Sequence, residues 1–168
     1  MERPVDIVAP SHGPQETAAI AAAIAEVSAA GDVLVLGGDL GAGKTAFTKG
    51  YAAALGVTET VTSPTFTLAQ RYDTGRLVVH HLDVYRIDQL DEVIDLALPE
   101  LFESGGVVVI EWGDTIEPAL PDGYLLVQIG FGDGDDERVL NLTARGTAWN
   151  ARLGQLRESF ASKAGVQC

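Results

Sequence analysis

The fold of this chain is decided by one stretch, Gly38-Asp39-Leu40-Gly41-Ala42-Gly43-Lys44-Thr45. It satisfies the pattern G-x-x-x-x-G-K-[ST] of a phosphate-binding loop, or P-loop. An apolar strand pattern at residues 33–36 precedes the stretch and a helical pattern at residues 44–55 follows it. A glycine-rich turn before a helix is the plainer alternative, but a strand before the motif and a helix after it favour the P-loop.

The glycines and the helix that follows suit this loop to an anion. Glycine lets the backbone wrap closely and turn its N–H groups inward, and the helix N-terminus adds its dipole to the same site. Lys44 can reach the β- and γ-phosphates of a nucleotide, and the Thr45 hydroxyl can bind Mg²⁺. We predict that the nucleotide also contacts the rest of the loop and the residue after it, namely Gly38, Asp39, Leu40, Gly41, Ala42, Gly43 and Ala46.

Two apolar strand patterns further along the chain end in carboxylates. Residues 77–82 lead to Asp83, and residues 107–110 lead to Glu111. Because ligands of parallel α/β sheets bind beyond the carboxyl ends of the strands, these acids are well placed to hold Mg²⁺ or its waters and to orient an attacking water. With Lys44 they are the predicted catalytic residues. For each acid taken alone, a solvated strand end is the alternative.

The sequence also bears on the choice of nucleobase and of metal. It contains no Asn-Lys-x-Asp stretch, the usual guanine reader of GTPases, which favours ATP over GTP. The adjacent residues His80 and His81 suggest a metal site at first sight. Neighbouring residues of a strand point to opposite faces of the sheet, so one ion cannot easily bind both side chains. A zinc ion chelated by the protein is therefore disfavoured.

Size and composition indicate one compact cytoplasmic domain over residues 1–168. Hydrophobic residues make up 46% of the chain, enough for a buried core without disulfides. The single cysteine, Cys168, excludes a disulfide framework or a cysteine metal cage. The N-terminus has no apolar signal core, and no apolar run is long enough to span a membrane. We therefore expect a protein of the reducing cytoplasm.

The charge balance disfavours direct binding to nucleic acid. The chain carries 24 acidic and 11 basic residues, a formal net charge of −13. Proteins that bind RNA or DNA draw most of their affinity from cations that displace counterions around the phosphates. A chain this acidic should repel nucleic acid unless a basic partner intervenes. Acidity that serves only solubility is equally compatible with the composition.

Strand and helix patterns alternate along the chain and predict an α/β fold. We expect a P-loop NTPase-like domain, with a mainly parallel central sheet, flanking helices and some antiparallel strands. A first helix carries Ile20, Ile24 and Val27 at helical spacing and ends by Gly31. The other predicted elements are strands at 65–72, 76–82 and 107–112, a helix at 89–102, a hairpin of 124–131 and 137–143, and a closing helix with Trp149, Leu153, Leu156 and Phe160.

Three further motifs accompany the P-loop in a fixed order: Ser63-Pro64-Thr65-Phe66, His81-Leu82-Asp83-Val84-Tyr85-Arg86 and Ile110-Glu111-Trp112. Each is weak alone, but the ordered set is highly specific. By these motifs and their spacing the chain resembles the TsaE family, and the resemblance covers nearly its whole length. It implies a Mg²⁺-dependent ATPase that serves the formation of threonylcarbamoyladenosine in bacterial tRNA.

The resemblance also implies roles for individual residues. Thr45 and Glu111 match the family's Mg²⁺ ligands, and Asp83 matches the acid that hydrolysis requires. The segment Ser63-Pro64-Thr65-Phe66 matches a switch that senses the γ-phosphate, which makes Thr65 a nucleotide contact. Its proline stiffens the turn while its hydroxyls can meet a phosphate or a metal.

Three more positions follow from the resemblance alone. Thr17 is expected to touch the adenine, and Arg138 is expected to lie near the nucleotide. Trp112 matches a tryptophan beside the active site, with a core aromatic residue as the alternative.

The partners implied are a TsaD-like transferase and a TsaB-like subunit. ATP turnover would act on that complex rather than on tRNA, which agrees with the acidity of the chain. Two other functions are compatible with a P-loop. A small-molecule kinase would need an acceptor pocket with a lid, and no lid insertion is evident. A nucleotide switch that binds partners and hardly hydrolyses would share every motif named above.

Overall fold

A seven-stranded β-sheet with helices against both faces forms the body of the protein in the computed structural model, which describes residues 5–62, 69–85 and 97–163. The strands are β1 (Ile7–Ser11), β2 (Val33–Gly37), β3 (Ala69–Tyr72), β4 (Val79–Asp83), β5 (Val107–Glu111), β6 (Tyr124–Phe131) and β7 (Arg138–Arg145). The helices are α1 (Pro14–Val27), α2 (Lys44–Ala54), α3 (Leu98–Phe102), α4 (Thr147–Asn150) and α5 (Leu153–Lys163), with a 3₁₀ helix at Gly113–Ala119.

The strand order is β1-β7-β6-β2-β5-β4-β3. The central strands β6, β2, β5 and β4 are parallel to one another. The outer strands pair antiparallel, β3 with β4, β7 with β6, and β1 with β7. The predicted fold class, a mainly parallel sheet with some antiparallel strands and flanking helices, is confirmed.

Every residue of β2 and β5 is buried, as expected for central parallel strands that are covered on both faces. On one face α1, α2 and α5 pack against the sheet through residues such as Ile24, Phe47 and Leu156. On the other face α3 and the 3₁₀ helix contribute Leu98 and Ile116. The carboxyl ends of β2, β4 and β5 lie side by side. In the strand register Glu111 of β5 lies opposite Asp83 of β4 on one side and opposite Leu36 of β2 on the other.

Helices α1 and α2 approach each other more closely than side chains normally permit. A Cβ atom on Gly50 of α2 would lie 2.6 Å from Cα of Ala18 in α1, a distance that real Cβ atoms do not show. Only glycine at this position allows the contact. The helix that begins at the P-loop is thereby held against α1.

The structure differs from the sequence prediction at both ends of the chain. The edge strand β1 was not predicted, although its residues alternate between buried and exposed. The predicted closing helix is two helices, α4 and α5, and not one. The apolar residues assigned to it are nevertheless all buried, namely Trp149, Leu153, Leu156 and Phe160.

Several predicted segments extend beyond the described residues. The switch segment 63–66, which includes Thr65, lies outside them, as does Cys168. Within the described part, the strand predicted at 65–72 is β3, the strand predicted at 76–82 is β4, and the helix predicted at 89–102 is represented by α3. None of the helices in the described ranges is both long enough and apolar enough to cross a membrane.

Candidate nucleotide-binding site

The P-loop connects β2, which ends at Gly37, to α2, which begins at Lys44. The backbone of the loop takes conformations that favour glycine. Gly43 immediately precedes the helix at a φ of 115°, and Gly38 has a φ of 136°, both in the region that side chains rarely adopt. A Cβ on Gly38 would also lie 2.5 Å from the carbonyl oxygen of Ile129. The glycine spacing of the motif therefore reflects the path of this loop.

Lys44 is buried at the mouth of the loop, with 5% of its surface exposed. Its ammonium group donates to the carbonyl oxygens of Gly38 and Asp39, at 2.7 and 2.9 Å. Its Nζ lies 3.9 Å from the centre of the Trp112 ring, a cation–π contact. Burial lowers the pKa of Lys44, and the nearby carboxylates, Glu111 first among them, oppose that shift. A buried cation thus lies beside the acids at the strand ends.

Asp83 and Glu111 lie opposite each other at the ends of β4 and β5, and both are buried. Asp83 Oδ1 accepts a hydrogen bond of 2.9 Å from the backbone N–H of Tyr85. Glu111 Oε1 accepts one of 3.4 Å from the Thr45 hydroxyl. The two acids and the Thr45 hydroxyl line one cleft at the first turn of α2.

This set of oxygen donors fits Mg²⁺. Mg²⁺ is bound in phosphate sites by one or two protein oxygens, with waters and substrate phosphates completing the octahedron. Thr45 Oγ1 and Glu111 Oε1, already 3.4 Å apart, would supply the protein's share. Among the residues that the structure describes, no group of three or more His, Cys, Asp or Glu side chains is arranged to hold a metal ion. A cation here would rely on the nucleotide for part of its shell.

A cleft of about 510 Å³ opens at these residues. The exposed Leu40 stands at its rim, and the rings of Tyr85 and Trp112 lie against each other with centroids 4.7 Å apart. Trp112 itself has a φ of 64°, an uncommon conformation for a bulky residue. The described lining residues are Leu40, Gly41, Gly43, Lys44, Thr45, Ala46, Asp83, Tyr85, Glu111 and Trp112.

A second concavity, of about 590 Å³, is lined largely by β6, β7 and the 3₁₀ helix, and no P-loop residue lines it. Desolvation raises the pKa of Asp114 there. The smaller cleft at the P-loop is therefore the one that combines the cation, the acids and the hydroxyl.

Arg138 lies behind the P-loop. Its Nε donates to the carbonyl oxygen of Ala42 at 3.0 Å, and its guanidinium lies 4.7 Å from the centre of the Phe131 ring. Thr17 is buried in α1, where its hydroxyl is hydrogen-bonded to Ser11 Oγ at 2.8 Å. Neither residue is among the described lining of the cleft. Their contacts with a nucleotide remain predictions.

One member of the site was missed by sequence reasoning. His81 is buried, and its Nε2 is hydrogen-bonded to Glu111 Oε2. Its neighbour His80 is partly exposed and contacts Ser104 Oγ at 3.1 Å. The signal was present in the sequence, since His81 lies two positions before Asp83 and therefore on the same face of β4.

The fold and the cleft define an α/β protein with a P-loop at the carboxyl edge of a parallel sheet. The chain belongs to the TsaE family. The family described as "Threonylcarbamoyl adenosine biosynthesis protein TsaE" matches residues 11–140, a span that includes the P-loop, Asp83, Glu111 and Arg138.

Similar proteins agree with this membership. A Bacillus subtilis protein named tRNA threonylcarbamoyladenosine biosynthesis protein TsaE is 49% identical over 85% of this chain and 89% of its own length. A Treponema pallidum protein of the same name is 41% identical over 76% of this chain and 94% of its own. The crystal structure of YdiB from Bacillus subtilis matches with a TM-score of 0.75 at 40% identity, over 95% of this chain and 97% of that one.

Proposed function

We propose that this chain is the ATP-binding and ATP-hydrolysing component of the machinery that forms threonylcarbamoyladenosine in tRNA. One observation carries the proposal: a P-loop lysine, a hydroxyl and two strand-end carboxylates line a single cleft. That combination is what phosphoryl transfer to water requires, namely a cradle for the phosphates, ligands for Mg²⁺ and an acid near the attacking water. The names of its relatives supply the pathway.

Each residue has a separate part in this proposal. Lys44 would exchange its two carbonyl partners for the β- and γ-phosphates, with backbone N–H groups of the loop donating to the same oxygens. Thr45 and Glu111 would hold Mg²⁺, which neutralises charge on the phosphates when it is bound. Asp83, which lies opposite Glu111 in the register, would orient the attacking water.

The proposal includes partners and location. We infer that the chain, as one domain over residues 1–168, works in the cytoplasm on a TsaD-like transferase and a TsaB-like subunit. The net charge of −13 supports action through proteins and not through tRNA.

Two measurements test the proposal. Purified protein with ATP and Mg²⁺ should release phosphate to water, and deletion of the chain from its host should lower threonylcarbamoyladenosine in bulk tRNA. Phosphate found on an added small-molecule acceptor would indicate a kinase instead. Tight ATP binding with no phosphate release, alone or with the partner proteins, would indicate a nucleotide switch.

A further inference from the structure

His81 and Glu111 form a buried polar pair under the cleft. Their side chains are 0% and 3% exposed, and Nε2 of the histidine is hydrogen-bonded to Oε2 of the glutamate. The other oxygen, Oε1, is the one that accepts from the Thr45 hydroxyl. The two oxygens of one carboxylate therefore have different partners, one in the sheet and one in the P-loop.

The surroundings of the imidazole indicate which nitrogen carries its proton. Nδ1 is buried and has no hydrogen-bond partner among the described residues, and the ring of Tyr72 lies nearby with a centroid distance of 6.3 Å. A proton on Nδ1 would be buried without an acceptor, which is costly. A proton on Nε2 is donated directly to Glu111. In the neutral tautomer with its proton on Nε2, the single N–H of the ring has an acceptor.

We propose that His81 is a positioning residue that holds the Glu111 carboxylate in the orientation that binds the metal. This inference rests on the proposed function, because it concerns the Mg²⁺ ligand assigned there. Glutamate has three rotatable side-chain torsions, and a hydrogen bond to Oε2 restricts the rotation of its carboxylate. Oε1 then faces Thr45 Oγ1 before any cation arrives. Hydrogen bonds that orient a ligating carboxylate typically account for about 10- to 100-fold in metal affinity or activity.

The test compares two replacements of His81 with a matched control at the next residue. His81→Phe fills a similar volume and donates no hydrogen bond. His81→Gln carries an amide N–H₂ as many bonds from Cβ as the imidazole Nε2, so it retains a donor. His80→Phe makes the same replacement on the opposite face of β4, where the histidine contacts Ser104.

Three quantities are measured on each folded variant. The first is the affinity of the protein–ADP complex for Mn²⁺, a paramagnetic substitute for Mg²⁺, by electron paramagnetic resonance titration. The second is the affinity for ADP in the presence of EDTA, by calorimetry. The third is the midpoint of thermal unfolding.

We expect His81→Phe to weaken Mn²⁺ binding about 10-fold or more. Its ADP affinity in EDTA should stay at the wild-type value, because the P-loop is untouched. His81→Gln should recover a large part of the loss, and His80→Phe should match the wild type. Wild-type Mn²⁺ affinity in His81→Phe, or a Gln variant as weak as the Phe variant, would overturn the inference.

A second measurement is made on the wild-type protein without nucleotide, so it does not depend on whether any variant folds. Long-range ¹H–¹⁵N spectra of the wild-type protein should show the His81 proton on Nε2, and a proton on Nδ1 alone would overturn the inference. The two proposals also fail differently. A wild-type protein whose ADP complex binds no Mn²⁺ would overturn the proposed function and this role with it. Normal wild-type binding with no effect of His81→Phe would overturn this role alone.

Discussion

The contacts of the Lys44 ammonium group in this structure would change if a phosphate bound to the loop. Its ammonium has two backbone carbonyls and an aromatic face as partners, and burial opposes its charge. Each carbonyl has a partial negative charge, whereas a phosphate oxygen carries a formal one. A nucleotide would therefore offer the buried cation a stronger, charge-assisted partner than the loop itself provides.

Replacing Lys44 tests the P-loop directly. We expect Lys44→Ala to lower ATP affinity by about 100-fold or more and to abolish turnover, since the phosphates would lose their buried cation. Lys49→Ala, which removes an exposed lysine from the same helix, should match the wild type. Calorimetric titration with ATP and a phosphate-release assay measure both effects. Unchanged turnover in Lys44→Ala would contradict the central claim about the loop.

The two acids are expected to separate binding from hydrolysis. Asp83→Asn and Glu111→Gln keep the shape of each side chain and remove its charge beside the proposed Mg²⁺ site. Both variants should still bind nucleotide, because the P-loop is intact, and should release phosphate about 100-fold more slowly. Glu103→Gln, at the exposed end of α3, is the control. Wild-type rates of phosphate release in both variants would indicate that the two acids are strand-end residues with no role in hydrolysis.

At this scale the sequence predicted what a motif or a strand end specifies. The proximity of Lys44, Thr45, Asp83 and Glu111 could be predicted because their positions follow from local patterns and because ligands of parallel sheets bind at the carboxyl ends of the strands. The sequence did not assign the role of His81, because a histidine in an apolar strand has many uses. The choice depends on which side chain of the neighbouring strand lies beside it, and that is a matter of register.

The sequence predicted strand pairs that are close in the chain, such as β6 with β7. It did not predict the pairing of β1 with the distant strand β7. The hairpin of β6 and β7 follows from two alternating runs around a glycine-rich turn. Strand β1 contains Pro10, which argues against a strand from sequence alone. Pro10 is accommodated because β1 is at the edge of the sheet, paired with β7. That pairing joins segments more than a hundred residues apart.

Alanine should have opposite effects at two helical glycines, Gly50 in the contact between α1 and α2 and Gly154 in open space. Gly50→Ala places a Cβ against Ala18 and should destabilise the protein by about 1–3 kcal/mol, because the helices must separate. Gly154→Ala, in α5 with no atom within 4 Å of its added Cβ, should stabilise it by about 0.5 kcal/mol through the unfolded chain. Urea denaturation of both variants measures the two changes. Equal effects of the same sign would contradict the close approach of α1 and α2.

Over the whole molecule, charge sets the kind of partner that the chain can engage. At −13 its average field opposes a polyanion, and local basic residues such as Arg138 and Arg152 are already engaged with protein groups. A neutral or basic protein surface meets no such barrier. Under the proposed function, any ATP-dependent change in affinity for a partner must be reciprocal, so the partner would change ATP affinity by the same factor.

The last prediction follows from that charge. Near physiological salt the isolated chain should bind tRNA weakly or not at all, because its net charge of −13 opposes a polyanion, and screening there leaves little long-range attraction to any local basic patch. Filter binding with ATP, ADP or no nucleotide measures the tRNA affinity, and pull-downs under the same conditions measure binding to TsaB- and TsaD-like proteins. Tight tRNA binding by the chain alone would contradict the electrostatic argument. Failure to bind those proteins in every nucleotide state would contradict the proposed partners.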